Sequence, residues 1–72
     1  MPLSFLPAGS RARVVDVKGG YGLRRRLFEM GLTPDTIVEV LANSWGPVLV
    51  RVRGAVIAIG RGIARKILVE PL

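Results

Sequence analysis

Apolar and polar positions alternate most plainly in Val48–Val52, read as Val-Leu-Val-Arg-Val. A period of two puts Val48, Val50 and Val52 on one face of a strand and Leu49, Arg51 and Arg53 on the other, where the two arginines mark a solvated side. Four further segments carry strand chemistry: the valine-rich Arg11–Val17, the β-branched Ile37–Leu41, Ala55–Ile59 and Ile67–Glu70. Turn residues separate them. Asn43-Ser44-Trp45-Gly46-Pro47 makes one loop, and Arg53-Gly54 lies between two valine-rich runs, where a tight hairpin needs positive φ and the glycine supplies it. Short strands at this spacing predict a small closed or nearly closed antiparallel barrel.

One segment departs from the period of two. Leu23, Leu27 and Met30 recur at i, i+4 and i+7, a stripe that would hold a short helix on the barrel. Gly31 is a natural positive-φ stop, with Leu32 placed to fold back onto the last turn. Arg25 and Glu29 stand four apart on the opposite side. Gly19-Gly20 and Gly22 bracket the start of the helix, and Gly60-Arg61-Gly62 precedes a single turn through Ile63 and Ala64. The predicted architecture is mainly β: one domain over residues 1–72, a small SH3-like barrel with one short helix inserted after the first strand.

Composition narrows what such a barrel can do. A chain of 72 residues buries only about 60% of its unfolded surface, so its stability margin is small. It contains no cysteine and no histidine. Disulfides, thiolate or imidazole metal sites, and nucleophiles activated by histidine are thereby excluded. Lysine and arginine outnumber aspartate and glutamate 11 to 5, for a net charge of +6. Half of the residues are hydrophobic, which is too apolar for a disordered basic tail. The longest apolar run, Ala55–Ile59, is far short of the roughly 20 residues of a membrane-spanning helix. The N-terminal segment lacks the features of a signal peptide, and a cytoplasmic location is the expectation.

Candidate chemistry then falls to a few residues. Arg24-Arg25-Arg26 offers guanidinium forks suited to carboxylates or other anions; the same triplet also fits a solvated helix face whose stems cover core edges. Loop aromatics Tyr21 and Trp45 suit partner contacts, and Trp45 equally suits a cap on the barrel mouth. Gly19-Gly20-Tyr21-Gly22 matches neither phosphate-binding glycine pattern. The five carboxylates, Asp16, Glu29, Asp35, Glu39 and Glu70, have no imidazole or thiolate companion, so no catalytic residues, intrinsic metal site or cofactor are expected. The distributed basicity invites nucleic acid. However, Phe5, Tyr21, Phe28 and Trp45 all lie outside the strand segments, which leaves charge without stacking platforms. A small basic nucleic-acid-binding barrel is the alternative to a protein-binding module.

The chain resembles the FeoA family of ferrous iron transport proteins. The residues that carry the resemblance are Pro2-Leu3-Ser4-Phe5-Leu6-Pro7-Ala8-Gly9, the block Gly22-Leu23-Arg24-Arg25-Arg26-Leu27-Phe28-Glu29-Met30-Gly31-Leu32-Thr33-Pro34, Gly46-Pro47-Val48, and Gly54 to Ala64. The resemblance implies an SH3-like barrel that assists FeoB, a membrane iron transporter with a cytosolic GTP-binding domain, by protein–protein contact. Arg24, Arg25, Arg26, Tyr21 and Trp45 are the candidate partner-binding residues on that basis, with no specific nucleic acid expected. Weak self-association through a strand edge or loop would also be compatible. A related domain occurs at the C-terminus of iron-dependent repressors, but this chain has no helix-turn-helix region and reads as a free-standing module. Asp35 stands where the family often has glycine after Thr-Pro, and aspartate tolerates the left-handed φ such a turn needs.

Overall fold

The computed structural model describes residues 1–72, and its strands follow the predicted segments to within one residue. They are β1 (Arg11–Val17), β2 (Ile37–Ala42), β3 (Val48–Val52), β4 (Ala55–Ile59) and β5 (Ile67–Pro71). All pairings are antiparallel, in the order β4-β3-β2-β1-β5. The alternating pattern decides what lies inside: Val48, Val50 and Val52 are buried with Val38 and Val40 of β2 and Val14 and Val17 of β1. Each such valine contributes about 1.5–3 kcal/mol by leaving water. Register shifts between Val14 and Asp16 and between Val40 and Ala42 sharpen the curl of the sheet. The edges β4 and β5 do not pair with each other, so the barrel is nearly closed, with an open seam.

The predicted helix is present as α1 (Tyr21–Glu29), and Arg61–Ala64 makes the single-turn α2. Gly19 has φ +137°, and a Cβ there would lie 2.9 Å from Leu23 Cδ2. Glycine therefore lets β1 turn directly into α1. The helix ends in a Schellman motif: the Gly31 N–H donates to Phe28 O at 3.0 Å and the Leu32 N–H to Leu27 O at 2.9 Å, with Gly31 at φ +96°. Leu32 is fully buried beneath that turn.

One local expectation needs correction, and a second is borne out and extended. Met30 does not pin the helix: it follows the last helical residue and is 42% exposed, while Leu27 and Leu32 are buried. The stripe has the right angle, and the Met30 N–H still donates to Arg26 O at 3.2 Å, but the side chain lines an open groove beside Leu23 and Leu27 instead of entering the core. In the β3–β4 hairpin both loop residues have positive φ, Arg53 at 51° and Gly54 at 82°, the type I′ geometry that matches strand twist. Asp35 adopts φ 73°, the left-handed conformation expected of it.

The first residues, which carry no strand pattern, complete the sheet. The Val69 N–H donates to Met1 O at 2.7 Å, the Met1 amine donates to Val69 O at 2.9 Å, and Pro2 bridges to Leu68. A 3₁₀ turn over Leu3–Phe5 follows and buries Leu3 and then Leu6 against the core.

Candidate partner-binding surface

Helix α1 presents one face to solvent, and on it Tyr21, Arg24, Arg25, Phe28 and Glu29 line an open hollow of about 610 Å³. Tyr21 is 80% exposed. The Arg24 guanidinium lies over the Phe28 ring, 5.8 Å from its centroid, and 3.9 Å from Asp16 Oδ1. Arg25 Nε reaches Glu29 Oε2 at 3.4 Å. These ion pairs are exposed and contribute little to folding. Their consequence is to orient two guanidinium groups over an aromatic-lined depression, where a partner's carboxylate and apolar side chains can engage together.

The arginine triplet is therefore divided. Arg26 makes no ion pair and faces a second, smaller groove between α1 and the β4–α2 segment. The reason is the 100° step between helix neighbours, which sends three consecutive side chains in three directions. Phe28 was not among the residues singled out in the sequence. Its signal was there, because Tyr21, Arg24, Arg25 and Phe28 repeat at helical spacing on one face.

Trp45 is 89% exposed and borders neither hollow, which rules out the barrel-mouth cap. Its loop is firmly held from beneath. Asn43 Nδ2 donates to Ser4 O at 2.9 Å and to Leu6 O at 2.6 Å, while Arg61 donates to Asn43 Oδ1 at 2.8 Å and to Gly46 O at 3.1 Å. Asn43 and Arg61 are the supporting residues that sequence reasoning missed; their partners are distant in the chain.

Electrostatics sharpen the surface. Arg13–Glu70 at 2.7 Å and Arg51–Glu39 at 2.8 Å are cross-strand pairs. Arg11, Lys18, Arg26, Arg53, Arg61, Arg65 and Lys66 are left without a carboxylate partner. No three of the chain's carboxylates stand together. The four aromatics lie on α1, the 3₁₀ turn and a loop, so neither sheet face offers a stacking platform for bases.

Comparison with known proteins shows what the chain as a whole is similar to. A family model described as the FeoA domain matches residues 1–71. A Methanocaldococcus jannaschii protein named as a candidate Fe(2+) transport protein A is 41% identical over 69 residues, spanning 96% of this chain and 84% of that one. The crystal structure of an iron uptake regulatory protein, FeoA, superposes with a TM-score of 0.92 at 40% identity, covering 100% of this chain and 96% of the other. Stenotrophomonas maltophilia FeoA, crystallised with zinc and described as a procaryotic SH3 domain protein, matches at TM-score 0.81 and 29% identity over 97% of this chain and 89% of that one. IdeR of T. acidophilum also shares the fold, at TM-score 0.90 and 25% identity, with this chain covering 34% of its length.

Proposed function

This chain belongs to the FeoA family, and from that premise we propose that it is a noncatalytic accessory protein of ferrous iron uptake. It works in the cytoplasm by docking on the cytosolic part of a FeoB-type membrane transporter and biasing its assembly or its GTP-driven cycle. No helix of the chain is long and apolar enough to cross a membrane, which fits an accessory role beside a membrane partner. Without histidine or cysteine, the chain meets iron through that partner, whose cargo the metal is.

The observation that carries the reading is the outer face of α1. Tyr21, Arg24 and Arg25 converge there with Phe28 on one hollow, and a +6 module is steered toward an acidic domain. The test is capture of FeoB from solubilised membranes. The Arg24→Ala/Arg25→Ala double variant should lose at least about tenfold in affinity, about 1.4 kcal/mol, with its circular dichroism unchanged. Arg26→Ala, on the other side of the helix, should capture FeoB as the parent does. Equal capture by the double variant would refute the assignment.

A further inference from the structure

We propose that the open edge of β4 is a second docking site, which accepts an extended acidic segment of another protein as an added strand. The inference stands apart from the FeoB reading and concerns a different face.

It begins with hydrogen-bond register. The two-residue loop makes Val52↔Ala55 the closing pair, and Val50↔Ile57 and Val48↔Ile59 follow in register. In an antiparallel hairpin of this type those pairs exchange backbone hydrogen bonds, and the alternate pairs, Arg51↔Val56 and Leu49↔Ala58, do not. The N–H and C=O groups of Val56 and Ala58 therefore point away from β3, and no backbone bond outside the β3–β4 ladder involves residues 55–59. Natural edges are commonly blunted by charge, proline or a bulge. From Gly54 to Gly60 there is neither charge nor proline, and the β3–β4 register is unbroken.

Beside this edge lies the smaller groove, about 140 Å³, where Leu23 and Leu27 of α1, Met30 just after it and Ile63 of α2 face Ala58 and Ile59. It has room for an aliphatic side chain projecting from the added strand. Arg26 stands on its rim without a carboxylate partner, and no carboxylate lines it. Backbone pairing along an edge with an adjacent side-chain pocket is a recurrent mode of peptide recognition. Charge selects the occupant. A second copy would bring one +6 chain against another, whereas a segment alternating aliphatic and acidic residues places carboxylates near Arg26.

The experiment is an NMR titration of the full chain with the blocked peptide Ac-Glu-Val-Glu-Leu-Glu-Val-Glu-NH2, beside its lysine-for-glutamate counterpart. The glutamate peptide should shift the amides of Val56 and Ala58 and the side-chain methyls of Leu23, Met30 and Ile63. Hydrogen exchange at Val56 and Ala58, fast in the free protein, should slow at least tenfold at saturation. Ala58→Pro removes an outward N–H while sparing the β3 ladder, and it should weaken binding at least tenfold. Arg26→Glu, which leaves the backbone untouched, should do the same. Shifts confined to the outer face of α1, equal binding of the lysine peptide, or parental binding by Arg26→Glu would overturn the proposal. So would concentration-dependent protection of Val56 and Ala58 without peptide, which would assign the edge to a second copy.

Discussion

Along β5 the chain's own first residues lie against the edge: Met1 exchanges two hydrogen bonds with Val69, and Pro2 bridges to Leu68. Along β4 no backbone pairs with the edge, where Val56 is 59% exposed and the strand is wholly apolar. The same curled sheet thus ends in one edge satisfied from within and one left with unused donors and acceptors. The difference teaches that edge protection here depends on which terminus is at hand. The N-terminal strap also carries Leu3 and Leu6 into the core, so the closed edge contributes to stability. The open edge leaves the outward backbone groups of Val56 and Ala58 unpaired, while a charge of +6 opposes its pairing with another copy.

Three substitutions test that contrast. The largest effect is expected at the strap. Leu3 is fully buried, and Leu3→Ala should cost about 3 kcal/mol and lower the thermal midpoint by more than about 10 °C. An unchanged midpoint in calorimetry would mean that the strap is not part of the core. Asn43→Ala comes next, because it removes donors to Ser4 O and Leu6 O and an acceptor for Arg61. Denaturant unfolding should show a loss of about 1–3 kcal/mol, and a smaller loss would show that the strap is held by packing alone. The smallest stability effect is expected at the open edge. Val56→Glu should change stability by less than about 0.5 kcal/mol while like-charge repulsion strongly reduces the acidic peptide's amide shifts. A large destabilisation there would show that β4 is as integral as β5.

Much of the fold was legible because its signals are local. Alternation in Val48–Val52 marks the buried face directly, and the Met30-Gly31-Leu32 sequence carries its own helix stop. Arg53-Gly54 announced the hairpin, although positive φ at Arg53 followed only from the I′ geometry that strand twist demands. The site was legible in part. Tyr21, Arg24 and Arg25 belong to one helix face and could be grouped by spacing, but Phe28 was overlooked among them. Arg26 shares the triplet with its neighbours, and the 100° step between helix residues, itself readable in the sequence, sends it to the other groove. Trp45 has two compatible readings in the sequence, and only its 89% exposure, on a loop tied down by Asn43 and Arg61, shows that it points outward.

The sequence by itself determined the strands, the helix and its stop, the absence of imidazole and thiolate side chains, and the basic charge. These follow from residue type and near-neighbour period, which the chain carries wherever it is placed. Tertiary structure decided which edge is covered, which arginines share a hollow, and where a groove opens beside unpaired backbone. Those outcomes depend on pairings such as Met1 with Val69 and on the packing of α1 beside β4. Residues remote in the chain create these surfaces only when the sheet curls and brings them together.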